Sequence, residues 1–295
     1  MDQPADIPGS AEKPDVKIGG EKSFHIHLVS DATGETLNSV AKAACVQFQD
    51  FKAIEHIYAL VRSQRQLHRV LKLIETHPGV VLYTMMNEDL RKELETWCRQ
   101  LNMPAIAILD PVLNILRGFL GTEASHKTGG QHGMDAAYFR RIDAMNFSLA
   151  HDDGQNFEGL EQADIILVGV SRTSKTPTAL YLANRGIRAA NIPIVHNQSL
   201  PANIGNLTRP LIVGLTASPE RLVQIRRNRL LSLNETTETD YINVDAVRDE
   251  IIYARKLIAK YGWELIDVSR RSIEETAAAI LNLYQERTGR TGVAL

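Results

Sequence analysis

The chain has 295 residues, 44% apolar and 23% charged, with Lys plus Arg at 33 against Asp plus Glu at 35 for a formal charge of −2. That balance suits a globular chain of about two domains; it is too apolar for wholesale disorder and too neutral to coat nucleic acid by charge alone. No apolar run reaches the ~18 residues of a bilayer span, the opening MDQPADIPGSAEKPD does not read as a secretory leader, and Cys45 and Cys98 alone make neither a disulfide framework nor a zinc cluster, so a cytoplasmic protein with no membrane partner is expected.

Residues 1–22 scatter Pro4, Pro8, Pro14, Gly9, Gly19 and Gly20 among charges and read as a disordered tail. Phe24–Val29 reads as a strand, and Leu37, Val40, Ala41, Ala44, Cys45 and Phe48 follow as one face of a helix. The alternation continues with a strand over Ile54–Leu60 and a helix marked by Leu67, Val70, Leu71 and Ile74. Then come a strand over Val80–Met85, a helix over Glu88–Leu101, a short buried strand over Ala105–Leu109 and a helix over Pro111–Leu120. A Gly-rich polar stretch from Gly121 to Asp135, with His126, Lys127 and His132, breaks the pattern and suits a lid or a mobile loop. A helix over Ala136–Ala150 precedes His151-Asp152-Asp153-Gly154.

The second half repeats the alternation. Strands are expected over Ala163–Val170, Ile192–Val195, Leu211–Leu215 and Trp263–Val268. Helices are expected over Pro177–Asn184, Pro219–Leu231, Val244–Tyr261 and Ile273–Gln285, with Gly186 as a stop after the first. Strands alternating with helices predict α/β architecture: a parallel-sheet N-terminal part, 23–145, and a P-loop-containing α/β C-terminal part, 146–295, the junction lying between about 121 and 160.

The C-terminal part carries the clearest chemical signal. An apolar strand runs into Gly169, and Val170, Ser171, Arg172, Thr173, Ser174, Lys175 and Thr176 follow before a helix opened by Pro177. This is the Walker A order with Ser174 in place of the second glycine. A glycine lets the chain leave the strand sharply, successive N–H groups curl around phosphate oxygens, and the positive end of the helix faces the anion. Lys175 adds a mobile charge, and the Thr176 hydroxyl can join a metal shell. Arg172 offers a second cation or is simply solvated.

Four further groups stand out. His151-Asp152-Asp153-Gly154 could supply a general base or metal ligand, or be a solvated helix end. Ser30-Asp31-Ala32-Thr33-Gly34-Glu35-Thr36 lies where open α/β sheets bind ligands, with N-capping by Ser30 or Thr33 as the plainer alternative. The basic helix with Arg221, Arg226, Arg227 and Arg229 could hold phosphate or an acidic partner, or be a solvated face. His25 and His27 share one strand face and favour a structural role over metal binding.

Together, SDATGETLNSVAKA (30–43), Tyr138-Phe-Arg-Arg-Ile142 leading to HDDG, GVSRTSKTPTALYLANRGIRAAN (169–191) and GLTASPERLVQIRRNRL (214–230) resemble one family. It comprises the bifunctional kinase/pyrophosphorylase regulators of pyruvate, phosphate dikinase and of phosphoenolpyruvate synthase. SRTSKT and SDATGET look like the dikinase branch rather than the SDGTA- and SRCGKT-like forms of the synthase branch. The resemblance implies two opposed reactions on a target threonine of pyruvate, phosphate dikinase. One is phosphorylation with ADP as phosphoryl donor; the other is dephosphorylation by inorganic phosphate, releasing pyrophosphate. It also implies that Gly169–Thr176 is the nucleotide site. On that footing Lys175 and the loop N–H groups hold the β-phosphate, Asp153 takes the threonine proton, Arg172 steadies the spreading charge, and a divalent metal such as Mg, if used, sits near Thr176. A homodimer is left open. Two rival functions use the same loop: a nucleotide-binding regulatory module without catalysis, and a small-molecule kinase using ATP. A dinucleotide site is poorly supported, since no G-x-G-x-x-G exists.

Overall fold

The computed structural model describes residues 16–18, 21–125, 128–129, 136–196, 198–232 and 240–289. The chain divides into two compact units, Met1–Gly133 and Met134–Leu295.

Unit 1 is built on strands β1 (Val16–Ile18), β2 (Glu21–Ser30), β3 (Phe51–Tyr58), β4 (Gly79–Thr84) and β5 (Ala105–Ala107). β3 and β4 flank β2 in parallel, β5 adds parallel to β4, and β1 pairs antiparallel with the start of β2, Val16 opposite Ser23. Its helices are α1 (Glu35–Cys45), α2 (Gln64–Thr76), α3 (Glu88–Gln100) and α4 (Asp110–Leu120). α2 buries Leu67, Val70, Leu71 and Ile74, as their spacing predicts, and they pack with Val29, Val81 and Leu94 on one face of the sheet.

Three expectations are corrected here. The segment read as a tail holds strand β1, because its apolar Val16 and Ile18 lie close enough in sequence to fold back on β2. On α1 only Leu37 and Ala41 are buried, while Val40, Ala44 and Phe48 are exposed, Phe48 lying beyond the helix end at Cys45. β5 is a three-residue edge strand with Ala105 and Ile106 exposed rather than a buried one, since it pairs only with β4. α4 forms where a helix is expected, and none of its residues is buried. His126, Lys127 and His132 lie outside the described residues.

His25 and His27 belong to a cluster of four imidazoles. His27 stands opposite His56 on β3, their rings stacked 4.7 Å apart, and His77 precedes β4 with its ring 5.2 Å from that of His25. His27 Nε2 donates to the His77 carbonyl at 2.7 Å, and His25 Nδ1 meets His56 Nε2 at 2.8 Å, one donating and one accepting. Burial, reinforced by neighbouring imidazoles, holds His25 and His56 below the usual histidine range, and burial takes His27 down to about 4. These folded-state values lie below the unfolded one. Between pH 6.5 and 4 the unfolded chain therefore binds protons that the native cluster refuses, and stability falls as pH falls. His27 alone accounts for a loss on the order of 2 kcal/mol by pH 5. Thermal melts at pH 7.5 and pH 5 should show the drop, and His27→Gln should flatten it; equal slopes in both proteins would remove the cluster as its cause.

Unit 2 is an all-parallel sheet in the order β7-β6-β8-β9, with β6 (Ile165–Gly169), β7 (Ala189–Pro193), β8 (Leu211–Thr216) and β9 (Glu264–Asp267). Its helices are α5 (Ala136–Ala150), α6 (Lys175–Ala183), α7 (Pro219–Ser232), α8 (Val244–Lys260) and α9 (Ile273–Thr288). Every residue of β6 and β8 is buried, because helices cover both faces. Val247, Ile251, Ala254 and Ile258 of α8 pack with Ile166, Val168 and Ile212 on one face; Ala277, Ile280 and Leu281 of α9 pack with Ile165, Leu167 and Val213 on the other. This two-sided core fixes β6 in the sheet, and whatever leaves its C-terminal end leaves from a rigid base. Among the described residues no helix is long and apolar enough to cross a membrane.

Candidate active site

The loop after β6 begins where the sheet is tightest. A Cβ on Gly169 would stand 2.4 Å from the carbonyl oxygen of Leu215 on β8, so no larger residue fits without opening the strand pair. The chain then turns through two left-handed residues, Arg172 at φ +72° and Ser174 at φ +59°, before α6 starts at Lys175. A non-glycine residue in that region costs roughly 1–2 kcal/mol, while glycine carries about 0.5–1 kcal/mol of extra unfolded-state entropy. Relief of strain is the larger effect, so Ser174→Gly is expected to stabilise the protein by about 0.5–1 kcal/mol, read as a higher Tm. An unchanged or lower Tm would show that Ser174 is not strained.

Val170, Thr173 and Lys175 are buried; Ser171 and Arg172 are exposed; Ser174 and Thr176 lie between. The Thr173 hydroxyl and Lys175 Nζ both donate to the Val170 carbonyl, at 2.9 and 3.0 Å. The lysine is therefore folded back onto its own loop, holding a peptide oxygen. Burial lowers its pKa to about 8; Asp153 and Asp152 oppose that shift, and Arg172 and Arg226 add to it.

The His151–Gly154 turn is fastened to β7 beside this loop. Asn191, buried in β7, accepts from Asp153 N at 3.1 Å through Oδ1 and donates to Asp152 Oδ1 through Nδ2. Its backbone carbonyl accepts from Gly154 N, and its N–H donates to the His151 carbonyl. Asp152 Oδ1 in turn accepts from the Thr176 hydroxyl at 2.9 Å. Asp153, left-handed at φ +50°, is exposed, and its charge is the strongest influence holding the Lys175 proton. His151 is structural: buried, it donates through Nδ1 to the Phe147 carbonyl and stacks on the Phe147 ring.

The structure thus brings Gly169–Thr176 and the two aspartates together, with Asp152 rather than Asp153 in contact with Thr176. The basic helix divides. Arg221, Arg227 and Arg229 are exposed, but Arg226 is fully buried, which overturns the solvated reading for that residue. Asn191 and Tyr241, whose hydroxyl accepts from Arg172 Nε at 3.1 Å, are site residues that belong to no sequence motif. The signal for Asn191 is one polar residue inside the apolar run Ala189–Ile192.

The Ser30–Thr36 motif stands at the C-terminal ends of β2 and β4 in unit 1. Neither Ser30 nor Thr33 caps α1; the cap position is Gly34 at φ +80°, with no side-chain bond. Ser30 Oγ instead accepts from Ala32 N and pairs with the Thr84 hydroxyl. Asp31 is buried, accepting from Met86 N and the Thr128 hydroxyl. A cavity of about 190 Å³ opens beside them.

A parallel α/β sheet with a lysine-headed helix after its central strand and a pair of carboxylates alongside belongs among the α/β architectures that bind nucleotides. The chain is a member of the kinase/pyrophosphorylase family, whose model matches residues 26–281. It is 59% identical over 268 residues to a protein of Maricaulis maris (strain MCS10), covering 91% of this chain and 96% of that one. A protein of Caulobacter vibrioides is 56% identical over 270 residues, 92% of this chain and 86% of its own, and one of Rhodopseudomonas palustris (strain BisB18) is 54% identical over 265, 90% and 95%. All three carry the name pyruvate, phosphate dikinase regulatory protein.

Proposed function

We propose that this protein regulates pyruvate, phosphate dikinase by two opposed phosphotransfers on one threonine of that enzyme. Supporting this reading is the loop Gly169–Thr176, with Lys175 at its helix and Asp152 and Asp153 at its mouth, in a chain of this family. In the inactivating direction ADP lies with its β-phosphate in the loop. The threonine oxygen forms a bond to that phosphorus as the bridging P–O bond to the α-phosphate breaks; AMP leaves, and Asp153 takes the hydroxyl proton. In the activating direction inorganic phosphate occupies the same cradle and attacks the phosphothreonine phosphorus; pyrophosphate leaves and the threonine hydroxyl is restored.

Lys175 exchanges the Val170 carbonyl for a phosphate oxygen, and the lysine itself meets no further desolvation because it is already buried. Arg172, exposed at the loop's edge, faces the group in transit. The Thr176 hydroxyl and the Asp152 carboxylate are hard oxygen donors already in contact, a set that fits Mg²⁺; the ion would neutralise phosphate charge there. The reaction is read as cytoplasmic.

The test is to incubate the protein with pyruvate, phosphate dikinase and ADP labelled at the β-phosphate, with labelled ATP as control. Label on a dikinase threonine, released as pyrophosphate when phosphate is added, is the expected result. Nucleotide binding without transfer would favour a regulatory module, and label from ATP alone a conventional kinase.

A further inference from the structure

Arg226 is buried beyond what a basic surface helix needs. Its Nη1 and Nη2 donate to the two carboxylate oxygens of Glu250 on α8, at 3.2 and 2.6 Å. Nη1 also donates to the Tyr241 carbonyl at 3.1 Å, and Nη2 to the Ser171 carbonyl in the phosphate loop at 3.3 Å. The guanidinium carbon lies 4.6 Å from the centre of the Tyr241 ring. One cation thus joins α7, α8, the short turn Asp240–Ile242 and the loop.

Stability does not account for it. Burying a guanidinium carries a desolvation cost that ion pairing rarely more than cancels, and an apolar side chain of similar volume commonly serves a fold as well. Here the cost is higher, since Nε–H is buried without an acceptor among the described residues. What an apolar side chain could not do is grip Tyr241 by its carbonyl and its ring together. A tyrosine held at both points presents its hydroxyl at a fixed place, and that hydroxyl accepts from Arg172 Nε. Arg172 is exposed and long, so without this bond it would sample many rotamers and have to be ordered during the reaction.

We propose that Tyr241, seated on the buried Arg226, is a positioning residue that holds Arg172 over the phosphate loop. The inference rests on the reading above, in which Arg172 faces the phosphoryl group being transferred.

A double-mutant cycle tests it, using full-length wild type, Tyr241→Phe, Arg172→Gln and the double variant, each assayed for transfer from β-labelled ADP to the dikinase. Phenylalanine keeps the ring on Arg226 and loses only the hydroxyl. In wild type the change is expected to lower kcat about tenfold, the worth of one charge-assisted hydrogen bond. The KM for ADP should stay within about twofold, and in the Arg172→Gln background the same change should alter kcat by less than about twofold, because its only route is already gone. Arg226→Lys keeps the charge without the fork and should reproduce the loss and its dependence on Arg172; should it fail to fold, the Tyr241 cycle decides alone. A Tyr241→Phe enzyme with wild-type kcat, or equal losses in both backgrounds, would overturn the proposal. If wild type transfers no label from ADP, the functional reading has failed instead. The same four proteins are then compared by thermal melting: a loss of Tm on Tyr241→Phe that disappears in the Arg172→Gln background supports the hold of Tyr241 on Arg172, and equal losses in both backgrounds overturn it.

Discussion

Replacing Lys175 with Met is expected to slow transfer from ADP and phosphate-driven release alike, by about 10²–10³-fold. In the proposed reaction both directions pass a phosphoryl group through one cradle, and this lysine is a buried cation of that loop. The fold should survive. Burial holds the Lys175 pKa at about 8, below its ordinary value, so the charged lysine is a cost to the native state. Between pH 8 and 10.5 the unfolded chain keeps a proton the folded chain has lost, and this group's contribution makes the protein more stable as pH rises through that window. A methionine removes the charge and keeps much of the stem, so its Tm should equal or exceed that of wild type. Activity runs the other way. If Lys175 holds phosphate as proposed, the empty enzyme loses that charge above pH 8, so kcat/KM for ADP should fall there in wild type. Steady-state rates across pH 6.5–9.5 check both points; a Lys175→Met enzyme with rates near wild type would remove Lys175 from the chemistry.

Asp153→Asn is expected to lower the kinase rate on the order of 10²–10⁴-fold while leaving ADP binding in place. Asparagine tolerates the left-handed backbone that Asp153 adopts, so the turn is not strained by the change. Asp153 N keeps its bond to Asn191 Oδ1, because that bond is made by the backbone. A secondary effect follows from charge. Asp153 supports the Lys175 proton, so its loss should move the alkaline fall in kcat/KM to lower pH. Asp152→Asn is the comparison. It should weaken the response to Mg²⁺, because Asp152 is the carboxylate in contact with Thr176. A folded, ADP-binding Asp153→Asn protein with full kinase activity would move the base role to Asp152.

The α/β alternation was legible because two-sided burial writes itself into sequence: β6 and β8 read as apolar runs, and α2 and α8 as helical stripes. The loop Gly169–Thr176 was legible because it is local, with glycine, lysine and threonine in one stretch. What stayed hidden depends on partners far along the chain. Whether Arg226 is solvated is decided by Glu250, Tyr241 and Ser171, none of them near it in sequence. The choice of Asp152 over Asp153 at Thr176 is made by Asn191 from another strand. The apolar stripe of α1 marks a helix but not what covers it: Val40 and Ala44 are exposed, and Phe48 falls beyond the helix end. The four-histidine cluster needed the β2–β3 register, which sequence spacing does not contain.

The place of β6 between β7 and β8 has a consequence for the growing chain. The loop is synthesised before its supports: its floor at Gly169 is closed by Leu215, and Arg226, which braces Ser171, and Glu250, which pairs with Arg226, follow later still. Parallel pairings of this kind close long segments and form slowly. A nascent chain that has only just emitted Lys175 carries the loop sequence without the strands and helices that shape it. On the proposed function, competence for transfer therefore arrives only when most of unit 2 has left the ribosome.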